Sequence, residues 1–161
     1  MPQHQAAAEP QISADEYTHR IDKTADSLSL DRIIKQSWAN VLPDPDILEV
    51  FLEEAEALAN RNEYLQAFLS DASDTVALQA LQRDLHTLKG GARMVTASGI
   101  ADLAHEMESV YTDFIDRRRP ATKKILELLV ACHDWLADAV FILSQQVNPP
   151  TPDLLIEALQ Q

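Results

Sequence analysis

One segment of the chain combines residue types that suit the transfer of a phosphoryl group. His86 is followed by Lys89, Gly90 and Arg93, at offsets of three, four and seven residues. At about 100° per residue, these positions share one face of a helix. A neutral imidazole nitrogen is a competent nucleophile near neutral pH. Lys89 can hold phosphate oxygens through charge-assisted hydrogen bonds, and Arg93 is a candidate for a second such contact. Each of these residues suits a phosphoryl carrier with His86 as its nucleophile.

A second pair of candidate residues, His105 and Glu108, lies about twenty positions further along at i, i+3 spacing. Both therefore fall on one face of the next predicted helix. If that helix packs beside His86, the pair could orient the imidazole, because a carboxylate that accepts a proton from one ring nitrogen fixes the tautomer. The alternative is an unrelated surface histidine and surface glutamate, and spacing alone leaves both interpretations open.

Glycine occurs at only three positions, Gly90, Gly91 and Gly99. Inside a helix each glycine costs about 0.5–1 kcal/mol relative to alanine. A bare patch beside His86 would admit the catalytic pocket of a partner. We therefore predict partner docking at Thr87, Gly90 and Gly91. The alternative is close packing of a neighbouring helix at the glycines.

These residues belong to a chain whose apolar positions recur at helical spacing throughout. The spacing predicts long helices over 45–70, 74–95, 98–118 and 120–147, with an irregularity at Asn60–Asn62 in the first. Asp44 with Pro45 is the expected N-terminal cap of the first helix, and Ser73 or Asp71 that of the second. Short turns between long amphipathic helices predict an all-α, antiparallel four-helix bundle.

The predicted bundle occupies residues 45–147 and leaves two terminal regions. We expect residues 1–44 to be an N-terminal extension, partly disordered and carrying weak helices. Residues 148–161 are predicted to hold a short C-terminal helix, capped by Thr151 and Pro152. His4, His19 and His133 match no motif and are interpreted as surface or structural residues.

The composition narrows the classes of partner. The net charge of −13 disfavours nucleic acid and anionic membrane surfaces, and it favours a soluble, monomeric isolated domain. No segment approaches the roughly 20 apolar residues of a membrane helix. The single cysteine, Cys132, lies among apolar residues and is expected to be a buried, inert thiol. We therefore expect a cytoplasmic protein.

The segment from Leu85 to Ala92 resembles the His-x-x-Lys-Gly phosphorylation motif of histidine phosphotransfer domains. The following Gly-Ala and the interval from His86 to His105 and Glu108 are similar to chemotaxis-type histidine kinases. The amino-acid sequence from His86 to Met94 most resembles the phosphotransfer motif of hybrid kinases that control type IV pilus motility. The helix that contains Phe51–Ala55 also fits the first helix of such domains.

The resemblance covers about residues 45–147 and implies a role for each motif residue. It implies that His86 is phosphorylated, that Lys89 supports reactivity or holds the phosphate, and that His105 and Glu108 form a hydrogen-bond network to His86. It also implies partners: a histidine kinase ATP-binding domain and response-regulator receiver domains. No cofactor is expected, because the Mg²⁺ belongs to the receiver. The domain would be a carrier without enzymatic activity of its own, within a parent histidine kinase. One departure is that Gly99 comes later than the glycine that opens this helix in many members, which leaves the turn geometry open.

Two other functions remain as alternatives. A helical protein-interaction domain without phosphorylation would keep the bundle, although the intact motif argues against it. A metal site at His86, His105 and Glu108 is disfavoured, because Lys89 would repel a cation and bundle metal sites use Glu-x-x-His spacing. A kinase active site is excluded, since all three glycines are accounted for and no nucleotide loop remains.

Overall fold

The computed structural model describes residues 44–161, and the helices predicted before residue 44 lie outside this part. Within it the chain forms six α-helices and no strand. They are α1 (Pro45–Ala59), α2 (Glu63–Ser70), α3 (Thr75–Met94), α4 (Ser98–Ile115), α5 (Lys123–Ser144) and α6 (Asp153–Leu159).

Side-chain caps begin three of these helices. Asp44 accepts a hydrogen bond from the Asp46 backbone N–H at 2.8 Å, with Pro45 in the first turn, which confirms the predicted cap of α1. The predicted cap of α3 was wrong, because Asp74 accepts from the Ala77 N–H at 3.0 Å. Asp71 is engaged instead by the backbone N–H and the hydroxyl of Ser73. Thr122 caps α5.

The predicted first helix is divided at Asn60–Asn62, where the irregularity was expected. The Asn60 side chain donates to the Glu56 carbonyl at 2.9 Å and so satisfies a terminal acceptor of α1. Arg61 then reaches α3, where it pairs with Asp84 at 3.2 Å. The two short helices, α1 and α2, together form the first arm of the bundle.

Helices α3, α4 and α5 end in left-handed residues other than glycine. Thr96, Arg117 and Gln146 have φ values of 58°, 58° and 64°. In α4, the Arg118 N–H bonds the Asp113 carbonyl at 2.8 Å and the Arg117 N–H bonds that of Phe114 at 3.2 Å, which is a Schellman motif. These turns end α4 and α5 before the predicted residues 118 and 147.

The four arms α1–α2, α3, α4 and α5 pack around one apolar core, which confirms the predicted all-α four-helix bundle. Phe68 of α2 lies at its centre, with ring centroids 5.5 Å from Tyr111 and 5.6 Å from Phe114 of α4. None of the helices between residues 44 and 161 is long and apolar enough to cross a membrane.

The segment after α5 packs across the α3–α4 turn. Residues 147–150 are buried, and the Asn148 side chain donates to the Thr96 carbonyl at 3.0 Å. A Cβ on Gly99 would lie 2.9 Å from the Pro150 carbonyl oxygen, so only glycine permits this approach. Helix α6 then lies against α4 and α5. The division into extension, bundle and C-terminal helix stays a prediction.

Candidate functional site

Two side-chain hydrogen bonds between the helices, Gln82–Thr112 and His86–Glu108, lie one turn apart and fix the register of α3 against α4. Gln82 donates to the Thr112 hydroxyl at 2.6 Å, and Thr112 donates in turn to the Glu108 carbonyl at 2.9 Å. Four residues along α3, His86 contacts Glu108, four residues back along α4. The antiparallel pairing therefore places one carboxylate of α4 directly beside His86.

Glu108 binds both chemically active residues of the α3 motif. Its Oε2 lies 2.9 Å from His86 Nδ1, and its Oε1 lies 2.7 Å from Lys89 Nζ. The imidazole remains open, with 69% of the His86 side chain exposed, whereas Lys89 and Glu108 are only 13% and 17% exposed. The sheltered ion pair thus supports a histidine whose free edge faces solvent.

The Glu108 carboxyl is held in its ionised form. Burial by itself raises its pKa, but hydrogen bonds from Lys89 and His86, together with positive charge at both residues, outweigh burial and bring the pKa below its ordinary value. An ionised carboxylate can only accept hydrogen bonds. His86 Nδ1 is therefore the donor in this contact, and in the neutral imidazole Nε2 carries the free lone pair.

His105 is not part of this network. It is exposed, and its side chain makes no hydrogen bond or ion pair within residues 44–161. The register that sets Glu108 level with His86 sets His105 level with Lys89, about 4.5 Å further along the axis. A shared face of α4 with Glu108 is therefore not enough to reach the imidazole. The structure brings together His86, Lys89 and Glu108 from the predicted set.

The two adjacent glycines have different environments. A Cβ on Gly90 would meet nothing within 4 Å, which leaves an exposed bare patch one turn from His86. A Cβ on Gly91 would lie 2.7 Å from the buried ring of Phe51 in α1. Gly91 therefore permits close helix packing, the alternative interpretation, and its place on the docking surface stays a prediction.

The other predicted site residues, Thr87 and Arg93, lie on or beside the open face of α3. Thr87 is half-buried, one position after His86, and Arg93 is exposed in the last turn. A guanidinium there also interacts favourably with the helix C-terminus. Arg93 makes no hydrogen bond or ion pair with another residue between 44 and 161.

The remaining titratable candidates are the buried Cys132 and the partly buried His133, both on α5. Cys132 is buried, and burial raises its pKa to about 12, as expected of an inert thiol. The Tyr111 hydroxyl and His133 Nε2 form a hydrogen bond of 2.9 Å. Burial lowers the pKa of His133 to about 4. His133 is thus structural, whereas His4 and His19 lie outside the described residues.

Three contributors to the site were missed in the sequence. Gln82 and Thr112 fix the register, and Phe51 fills the space that Gly91 leaves. The spacing of Gln82 and Thr112 could have revealed them. Gln82 precedes His86 by four residues, and Thr112 follows Glu108 by four, so antiparallel helices place the two side chains level with each other. Among residues 44–161, no group of three His, Cys, Asp or Glu side chains is placed to hold a metal ion.

The chain is similar to known proteins over most of the bundle. The Hpt domain family matches residues 46–140. The chemotaxis protein CheA of Listeria monocytogenes serovar 1/2a is 28% identical over 96 residues, which are 59% of this chain and 16% of that protein. CheA of Listeria innocua serovar 6a matches to the same extent. The chain thus spans about a sixth of these relatives, and no solved structure matches significantly. With the family matching more than half of its length, the chain belongs to the Hpt domain family.

Proposed function

We propose that this domain carries a phosphoryl group on His86 Nε2 between a histidine kinase ATP-binding domain and response-regulator receiver domains. The observation that carries the proposal is the contact from His86 Nδ1 to the ionised Glu108, which leaves Nε2 as the nucleophile on an exposed ring. Family membership supports the same role, since Hpt domains are phosphocarriers without catalytic activity.

The transfer step needs little from the domain beyond position and charge. The Nε2 lone pair forms the N–P bond while the P–O bond to the donor breaks, and the donor oxygen leaves with that electron pair. The proton on Nδ1 stays in place, where Glu108 stabilises the positive charge that develops on the ring. In onward transfer, the receiver aspartate attacks phosphorus and the N–P electron pair returns to Nε2. The receiver supplies its own Mg²⁺.

Lys89 is placed to act in both the unphosphorylated and the phosphorylated domain. Its ammonium is committed to Glu108 at 2.7 Å, one turn from His86. The side chain is long enough to turn toward a phosphoryl group on the imidazole, which would offer it stronger, doubly charged acceptors. We infer that Lys89 neutralises Glu108 before phosphorylation and contacts the phosphoryl oxygens afterwards.

The parent protein is also a matter of proposal. The CheA relatives favour a chemotaxis-type histidine kinase as the parent protein. The motif sequence from His86 to Met94 favours a hybrid kinase of this type, with type IV pilus motility as its output. We propose a cytoplasmic location for this domain on the same grounds. A phosphorylation-independent interaction domain is the competing function, and it requires no open Nε2.

Phosphoryl transfer to the purified chain from several phosphorylated receivers and kinases tests the proposal. Wild type should acquire an acid-labile, alkali-stable label, and His86→Gln should acquire none. Glu108→Gln should be labelled more slowly, by a factor of about 100, because the amide lacks the charge that stabilises the ring during transfer. His105→Gln is the matched control on α4 and should be labelled like wild type.

Three results would count against the proposal. A folded wild type that no donor labels would favour the interaction domain. A label that survives in His86→Gln would move the phosphorylation site. Equal labelling of Glu108→Gln and wild type would remove Glu108 from the mechanism.

A further inference from the structure

The positive charges of the described chain are concentrated in two places. Residues 44–161 hold nine Lys and Arg, of which four lie between positions 61 and 93 and five lie between positions 117 and 124. The whole chain has a net charge of −13, so a locally cationic surface is the exception. Three of the first group, Arg83, Lys89 and Arg93, lie on α3 with His86.

Two members of that group are already engaged, while two remain available. Arg61 pairs with Asp84, and Lys89 pairs with Glu108. Arg83 and Arg93 are exposed, and neither makes a hydrogen bond or a salt bridge within residues 44–161, although the charge of Arg83 acts on the neighbouring Asp84 carboxylate. Their positions on α3 fall within about 80° of each other around the helix axis, on the side of His86 and Gly90.

Arg83 and Arg93 flank the reactive imidazole along α3. They precede and follow His86 by three and seven residues, which at about 1.5 Å per residue gives separations of about 4.5 and 10.5 Å along the axis. The only acidic residue of α3 is Asp84, which points toward Arg61 and α2. The open face of α3 is therefore cationic around a surface free of side chains at Gly90.

An acceptor of the proposed kind is complementary to this face. A receiver that holds Mg²⁺ beside an acceptor aspartate needs one or two carboxylates to bind the ion, so acidic side chains lie around its acceptor. Its docking rim is therefore acidic, and the strong net negative charge of this chain would otherwise repel it. Two exposed guanidinium groups beside the histidine would attract that rim where transfer occurs.

We propose that Arg83 and Arg93 steer the acidic acceptor face of a receiver domain onto His86 and so determine which receivers react quickly. This inference rests on the proposed function. It assigns Arg83 a role, and it makes Arg93 a contact for the receiver in place of the second phosphate contact expected from its spacing. Both are positioning residues, because Nε2 and the sheltered Lys89–Glu108 pair perform the chemistry.

The test compares two matched double charge reversals. Arg83→Glu with Arg93→Glu alters the proposed surface, while Arg117→Glu with Lys124→Glu makes the same change in charge at the α4–α5 turn. Each protein is phosphorylated by the donor that labels wild type. Transfer is then measured to the Mg²⁺-loaded receiver that accepts fastest from wild type, across a range of salt concentrations. Thermal unfolding of each variant checks that it is folded.

Steering predicts a change in encounter and none in chemistry. At low ionic strength the second-order rate constant of the Arg83/Arg93 variant should fall about tenfold or more below that of the control variant. The difference should shrink as salt screens the charges. The transfer rate at saturating receiver and the lifetime of phosphohistidine without receiver should match wild type. The Arg83→Gln, Arg93→Gln variant should show a smaller loss.

Two outcomes would overturn the inference while the proposed function stands. The first is equal rate constants and salt dependence for the two charge-reversal variants. The second is a shortened phosphohistidine lifetime or a lower saturating rate in the Arg83/Arg93 variant, which would make these residues phosphate contacts. A wild type that accepts no phosphoryl group would instead overturn the proposed function itself.

Discussion

Gly90 and Gly91 are neighbours in sequence but meet different surroundings, and this difference can be measured. Gly90→Gln adds a side chain in open space and removes a helix glycine, so the free energy of unfolding should stay level or rise by up to about 1 kcal/mol. Transfer to a receiver should slow severalfold, because the side chain obstructs the docking surface. Gly91→Ala forces the Phe51 ring to move and should lower stability by about 1 kcal/mol, the net of overpacking and helix propensity.

Chemical denaturation and transfer kinetics on both variants separate the two effects. Adding Phe51→Leu to Gly91→Ala should restore part of the lost stability, because the smaller side chain leaves room for the new methyl group. Unchanged receiver affinity and transfer in Gly90→Gln would defeat the docking surface. Gly91→Ala as stable as wild type would show that Phe51 has room to shift.

The motif residues were predictable to different degrees from the sequence. His86 and Lys89 follow from their spacing within one helix, and Glu108, on the next helix, follows from the resemblance. The exclusion of His105 depends on the register between α3 and α4, which Gln82 and Thr112 fix. The role of Gly91 depends on a ring forty residues away. Such facts arise from packing between helices, and helical periodicity alone does not contain them.

At the scale of elements, substitutions at the ends of three helices could raise the free energy of unfolding. The chain places Thr96, Arg117 and Gln146 at left-handed positions where glycine is the usual residue. Each residue with a Cβ in this conformation costs about 1–2 kcal/mol. The hydrogen bonds of the Schellman motifs hold the turns in spite of that cost.

Arg117→Gly should therefore stabilise the domain, by about 1 kcal/mol in the free energy of unfolding. Arg117 is exposed and its side chain makes no ion pair within residues 44–161, so the substitution removes little else. Arg117→Ala removes the same side chain but keeps the Cβ, and it should leave stability nearly unchanged. Denaturant unfolding of the three proteins side by side gives the comparison. Equal gains from glycine and alanine would point to charge, not backbone strain, as the cause.

Helix content and order were predictable, while several helix ends were not. The 3–4 spacing of apolar residues located all four arms and the break at Asn60–Asn62. The cap of α3 was misassigned because Asp71, Ser73 and Asp74 all have capping side chains, and only the folded turn decides which one faces the first free N–H groups. The left-handed turns carry no glycine to signal where α4 and α5 end.

At the scale of the whole molecule, the C-terminal segment was the least predictable feature. Pro149, Pro150 and Asn148 indicate only where α5 ends. In the fold they lie across the α3–α4 turn, where Asn148 binds Thr96 and the proline carbonyls approach Gly99. The geometry of this turn, which the resemblance left open, is therefore set by the C-terminal segment. The contact joins residues about fifty positions apart, so no local sequence pattern predicts it.

The pH dependence of stability is also a property of the whole bundle, because it depends on a histidine inside it. Burial between α4 and α5 lowers the pKa of His133 from 6.5 to about 4, and the Tyr111 hydroxyl occupies its Nε2. The unfolded chain therefore binds more protons than the folded one between these pH values. Stability must fall as the pH drops through this window, since protonation favours the unfolded state.

Unfolding free energies of wild type and His133→Gln at pH 7 and pH 5 test this directly. Glutamine can still accept a hydrogen bond from Tyr111 but does not titrate, and the other ionisable groups are common to both proteins. Wild type should lose about 1–2 kcal/mol more than the variant over this interval, since one pKa unit corresponds to about 1.4 kcal/mol. Parallel pH profiles would mean that His133 takes up its proton in the folded bundle. Its contact with Tyr111 would then open at a pH where the bundle itself stays intact.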